Sequence, residues 1–242
     1  MRAFLPLCIV FCFAAVFRPA WSEESESVPN TLSEEEKLAG FELLFDGETL
    51  SPDIWQGSIH GYPVETKGSF ICRKGGQLLT VKEYSDFIFR FEFKLPPEGN
   101  NGVGIRTPLG KPSSIYGIEI QILSDAYPDA KPWQKHGSIY GFVPAKPGLL
   151  RPDGQWNQEE ILAVGPHIKV TVNGQVAVDA DITGAESLDG DRPGIHNKSG
   201  FVGFLGHDDP VEFRNVRILA LVGKENAEHD SGSGVSFSDT GR

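Results

Sequence analysis

Cysteine is almost absent from this sequence: three occur in 242 residues, and two of those stand close together near the start. Cys8 and Cys12 fall in "MRAFLPLCIVFCFAAVFRPAWS", where Arg2 precedes an apolar run from Ala3 to Phe17 and small residues follow at Ala20 and Ser22. This is the pattern of a signal peptide over residues 1–22, with cleavage near Ser22. The run is too short to span a bilayer comfortably, and no other segment could cross one, so no stable membrane insertion is expected after cleavage. Removal of the segment leaves Cys72 alone. An intramolecular disulfide is then excluded, and a hydrophobic core must hold together an exported protein, periplasmic or extracellular.

Basic residues are scarce as well. Lys and Arg number 22 against 33 Asp and Glu, a net charge of −11. Loss of Arg2 and Arg18 with the signal makes it −13 (−11 − 2). Such a balance opposes nucleic acid and anionic membranes and favours neutral or weakly charged substrates. There is no G-x-S-x-G elbow, Walker loop, H-E-x-x-H or cysteine pair, so the common serine-hydrolase, nucleotide and zinc signatures are missing. "SLDGDRPG" at 187–194 has calcium-like acidic spacing but lacks the closing Glu of an EF-hand and reads as a turn.

What the chain does have is alternation. "DFIFRFEFKL" sets Phe87, Phe89, Phe91, Phe93 and Leu95 on one face and charged residues on the other, a central core strand. "HIKVTVNGQVAVDADI" places Asn173-Gly174 between two alternating runs and predicts a hairpin with a type I′ turn. Further strands are expected at 42–45, 69–73, 77–81, 102–107, 116–123, 138–143, 160–164, 201–205 and 211–218. Ser33 and Glu36 form a capping box and Gly40 a stop, so 34–39 is a short helix. The expected organisation is a flexible leader at 23–33, one all-β sandwich domain at 34–222 and a disordered tail at 223–242.

Within "YGIEIQILSD", Ile118, Ile120 and Ile122 face one way, Glu119 and Gln121 the other. In "NNGVGIRT", Gly102, Gly104 and Arg106 share a face, and glycines there leave room for a ligand above the backbone. If the two strands are neighbours, Arg106 and Glu119 lie on one surface, either as an exposed ion pair of little worth or as part of a cleft. His207 follows the strand "GFVGFLG" and precedes two aspartates, a place for a proton donor, a metal ligand or a plain loop residue. Lys135 and His136 carry the same ambiguity. Tyr116, Tyr140 and Trp156 offer rings on which a sugar could stack or simply pack.

These segments, in this order and together with "HGSIYGFVPAKPG", "GQWNQEEILAVGPHIKVTVNG" and "GFVGFLGHDDPVEFRNVRI", resemble the 3-keto-disaccharide hydrolase family over roughly residues 34–219. The resemblance implies a concanavalin-like β-sandwich or jelly roll with a sugar-binding face. It also implies cleavage of glycosides already oxidised to a ketone at carbon 3, by lyase or hydratase chemistry, with a small oligosaccharide or glycoside as substrate. Glu119, Gln121, Arg106 and His207 fall at positions of the family's motifs. The chemistry needs a base, a positive partner for the enolate oxygen and an acid, roles expected of Glu119, Arg106 and His207 in turn, with Glu119 and His207 able to exchange theirs. Around them Gln121, Asn101, Lys135, His136, Tyr140, Trp156 and Asp208 are the expected substrate contacts. A divalent ion between Glu119 and His207 would be chemically acceptable. Leu205 departs from the pattern, since relatives tend to carry glutamine two places before the histidine. A non-catalytic carbohydrate-binding module and a two-carboxylate glycosidase remain the alternatives.

Overall fold

The computed structural model describes residues 28–64 and 68–221. The expected signal peptide, the first part of the leader and the tail at 223–242 lie outside the described residues. Residues 28–33, expected to be flexible, are part of the domain. Asn30 is buried; its side chain accepts from the Asn215 N–H at 2.8 Å and donates to the Gly68 carbonyl at 3.0 Å. The helix α1 (Glu34–Ala39) follows with the expected capping box and Gly40 in the left-handed region at φ 90°. Its buried Glu36 ties the helix to the sheet by accepting from Arg90 at 3.1 Å and Arg217 at 2.7 Å.

The remaining elements are β1 (Glu42–Leu43), β2 (Trp55–Gly57), β3 (Phe70–Ile71), β4 (Leu78–Thr80), β5 (Phe87–Lys94), β6 (Asn100–Thr107), the short helix α2 (Ser113–Tyr116), β7 (Ile118–Leu123), β8 (Trp156–Val164), β9 (His167–Val172), β10 (Gln175–Asp181), β11 (Phe201–Phe204) and β12 (Glu212–Ala220), with three 3₁₀ turns between them. They form the expected sandwich of two antiparallel sheets. The larger has the order β1-β12-β5-β8-β9-β10, with β3 also on β12, and the smaller β2-β4-β11-β6-β7. The β9–β10 turn has Asn173 at φ 48° and Gly174 at φ 76°, as a type I′ turn requires. One expected strand is absent: 138–143 folds back on itself, Ile139 and Val143 exchanging main-chain bonds at 2.9 and 3.0 Å. Gly141, at φ 76°, supplies the left-handed residue that breaks the extended run.

Aromatic rings fill the space between the sheets. All four phenylalanines of β5 are fully buried. Phe204 of the smaller sheet meets Phe213 of the larger with ring centroids 4.0 Å apart and takes Phe91 edge-on at 5.5 Å. This stack fixes where β11 ends, and with it the loop through His207. Phe204→Ala is expected to cost about 3–5 kcal/mol of unfolding free energy, measured by chemical denaturation.

Candidate active site

The outer face of the smaller sheet floors a cleft of about 830 Å³. The register explains its shape. Gly104 lies opposite Glu119, Gly102 opposite Gln121 and Asn100 opposite Leu123, so these side chains share one face. On the other side of β6, Leu205 donates its N–H to the Gly102 carbonyl at 2.9 Å. A Cβ on Gly104 would lie 2.5 Å from Ser113, so α2 covers that end of the floor. A Cβ on Gly102 would lie 2.8 Å from Glu119 Oε1, so the carboxylate lies across that glycine. The glycines do leave room, but the protein's own side chains occupy much of it.

Glu119 is 7% exposed. Burial raises its carboxyl to about 7, opposed by the positive charge of Arg192. Arg192 is held on three sides. It donates to the Asp189 carbonyl at 2.9 Å and the Asp189 carboxylate at 2.7 Å, and to the Ser114 carbonyl. Its guanidinium lies 4.5 Å from the Tyr140 ring centre, and the Tyr140 hydroxyl accepts from Gln134 at 2.9 Å. Gln121 donates to Asn100 Oδ1 at 3.1 Å, and its own carbonyl oxygen is buried without a hydrogen-bond partner. A ligand hydroxyl would satisfy that acceptor.

His207 stands at the opposite, open end. The strand-end loop is pinned by Asn101 Oδ1, which accepts from Gly206 N–H at 3.4 Å, and by the buried Cys72 thiol, which donates to the His207 carbonyl at 2.8 Å. The imidazole is exposed at the rim, and partial burial lowers its value below the usual 6.5 against the pull of Asp209 and Asp208. Glu119, Gln121, Tyr140 and His207 therefore line one cleft.

Six other expected site residues do not. Arg106 sits at a bulge where β6 and β11 slip register, at φ 50°. The bulge breaks the alternation on which its placement rested. Its guanidinium turns to the Ser85 carbonyl at 2.9 and 3.0 Å and to Asp86 at 3.5 Å, so Arg106 braces a strand end and cannot partner an enolate. Asn101 faces inward, one residue out of phase with Asn100, which does line the cleft. His136 is buried beside Phe93, 5.0 Å between ring centres, and 3.3 Å from the equally buried Glu159. Burial pushes that imidazole down to about 3 and the Glu159 carboxyl well up, so both favour their neutral forms. Lys135 lies outside the cleft lining. Trp156 is on the larger sheet between Lys94 at 5.1 Å and Arg214 at 4.1 Å. Asp208 accepts from the Gly75 N–H at 2.9 Å and braces the loop beside His207.

Arg192, Asn100, Gln134 and Tyr127 are among the cleft residues that sequence reasoning passed over. Arg192 belongs to the turn with calcium-like spacing, whose Asp189 holds a guanidinium. Among the described residues no group of three or more His, Cys, Asp or Glu is placed to hold a metal ion. No helix among the described residues is long and apolar enough to cross a membrane.

A two-sheet sandwich whose outer face carries a desolvated carboxylate, a fixed guanidinium and an imidazole defines a cleft suited to proton transfer on a neutral ligand. The family model of the 3-keto-alpha-glucoside-1,2-lyase-like domain matches residues 40–219, and the chain belongs to that family. A Bacteroides thetaiotaomicron protein named 3-keto-disaccharide hydrolase is 25% identical over 181 residues, 61% of this chain and 62% of that protein. The match thus spans less than two thirds of the relative. A crystal structure of a candidate glycosyl hydrolase from Parabacteroides distasonis superposes with a TM-score of 0.71 at 23% identity, over 81% of this chain and all of that one. A second from the same organism gives 0.63 at 26% identity, over 75% of this chain and 99% of the other. The first likeness establishes the fold.

The raised carboxyl has a consequence for stability. Folding favours protonated Glu119, so its contribution is fully present below the unfolded value near 4.5 and is lost as pH rises through about 7. Glu119→Gln is therefore expected to be more stable than the parent at about pH 8, by about 3 kcal/mol at most, with the difference vanishing near pH 4. Urea melts at the two pH values check this.

Proposed function

We propose that the protein cleaves 3-keto-glucosides by proton abstraction at carbon 2 and elimination of the group on carbon 1. The observation that carries this reading is the buried carboxylate of Glu119, poised near 7 beside Arg192 in the cleft it shares with His207. A ketone at carbon 3 makes the neighbouring C2–H acidic, because the carbanion is an enolate. Glu119 takes that proton, the electron pair forms the C1=C2 bond, and the C1–O bond breaks with its pair going to the leaving oxygen. His207 protonates that oxygen, giving a free alcohol and an enone. Addition of water across the enone makes the net result hydrolysis.

The geometry supports this division of roles. Arg192 is at the closed end by α2 and takes the place expected for Arg106, donating to the developing enolate oxygen. Glu119 feels the Arg192 charge and so sits next to the carbon beside the ketone, whereas His207 at the rim is placed for the departing oxygen. In the free protein the proton shared by the pair rests mainly on Glu119, since its value is raised and that of His207 lowered. The working form is then a minor one-proton tautomer, and either tautomer gives the same pH dependence. A non-catalytic binding module would gain nothing from a desolvated carboxylate that opposes folding at neutral pH. A two-carboxylate glycosidase would need a partner for Glu119, and the other carboxylate of the cleft, Asp129, is exposed on a loop.

Glu119→Gln should lower turnover of a 3-keto-glucoside by roughly 10²–10⁴ while leaving the far-ultraviolet dichroism unchanged. Unchanged turnover would remove Glu119 from the mechanism. The rate profile of the parent, as kcat/KM against pH, is expected to be a bell whose alkaline limb falls through about 7 as the pair loses its last proton. Its acid limb falls below the ordinary histidine value as both groups become protonated. A profile flat between about pH 6 and 9 would contradict the assignment.

A further inference from the structure

The two ends of the cleft differ in chemistry, and the difference bears on what leaves. At the closed end the lining is polar: Arg192, Tyr140 and the unsatisfied carbonyl of Gln121. At the open end, Leu123 stands opposite Asn100, and the chain leaving β7 is tied there by Ser124 N–H to the Gly99 carbonyl at 2.9 Å. That chain lines the cleft with Tyr127, Pro128 and Ala130. Asn100 also donates its N–H to Asp209 at 3.1 Å, which brings the His207 loop to the same rim. Leu205, 8% exposed, borders the floor on the other side of Gly102. The proton donor thus shares its end of the cleft with Leu123, Leu205, Tyr127, Pro128 and Ala130.

A second sugar at this end would bring several hydroxyls needing partners, and an unmatched buried hydroxyl is costly. Asn100 Oδ1 is already engaged by Gln121, and its N–H by Asp209. Beyond His207 there remain the side-chain N–H groups of Asn100, the single hydroxyl of Tyr127 and Asp129, exposed at the outer edge. A flat apolar group, by contrast, would lie against the exposed Tyr127 and Pro128 faces, gaining contact and losing no hydrogen bond.

We infer that the leaving-group subsite of this protein takes an aromatic aglycone, so that its preferred substrates are 3-keto-glucosides of phenols rather than of a second sugar. The inference rests on the proposed elimination, and the glycone end is unchanged by it. The bond broken is then the C1–O bond to an aryl oxygen, and the products are a phenol, protonated by His207, and the sugar enone.

The test measures binding and turnover separately, because an aryl oxygen is also an intrinsically better leaving group. Phenyl 3-keto-glucoside and a 3-keto-disaccharide, each in both anomers, are titrated calorimetrically into the Glu119→Gln protein and assayed for cleavage by the parent. The phenyl compound is expected to bind at least tenfold more tightly. Leu205→Gln, and independently Tyr127→Ala at an exposed position that leaves the core intact, are expected to shrink that ratio severalfold. Equal or tighter binding of the disaccharide, or a ratio indifferent to both substitutions, overturns the inference. Absence of cleavage of either compound by the parent overturns the proposed elimination instead, and the binding ratio still decides the subsite.

Discussion

A carboxylate held out of water beside a fixed guanidinium is the constraint around which this molecule is arranged. Glu119 reaches that state because β6 offers glycine where any other residue would place a Cβ 2.8 Å from its oxygen. Isoleucines on the other face of β7 anchor the strand in the core. The cost is borne by folding at neutral pH, where the charged form is disfavoured. The aromatic stack across the sandwich supplies the stability that offsets it, with Phe204 joining the two sheets one residue before the cleft-lining Leu205.

Support of the site comes from the cleft wall itself and from groups packed behind it. Asp189 and the Ser114 carbonyl aim Arg192, and Tyr140 backs its flat face. Asn101 and Cys72 hold the main chain of the His207 loop from below. Arg106, first read as part of the chemistry, instead closes the end of β6 against Ser85 and Asp86. Each of these polar groups has named partners, and together they leave the ligand-facing atoms little freedom.

Much of the fold was legible because the alternation is strict. The four phenylalanines of β5, the three isoleucines of β7, the Asn173-Gly174 turn and the capped helix α1 each follow from local pattern. Glu119 and Gln121 were legible for the same reason. Asn100 was within reach too, since the phase that puts Gly102 and Gly104 outward also puts Asn100 outward and Asn101 inward. Arg106 was not, because a bulge resets the phase and nothing in "NNGVGIRT" announces it. Arg192 and His136 were hidden by tertiary placement. One comes from a distant turn that folds onto α2, and the other is buried beside Phe93 and Glu159. A local pattern reports which way a strand residue points, but not which loop arrives above it.

The account turns on whether carbon 2 loses its hydrogen during cleavage. The direct measurement is the rate with a 3-keto-glucoside carrying deuterium at carbon 2, together with the fate of that label. An isotope effect well above unity, with the deuterium washed into solvent, is the predicted result. A rate ratio near unity with the label retained in the released sugar would mean that the glycosidic bond breaks without an enolate, and the role given to Glu119 would fall.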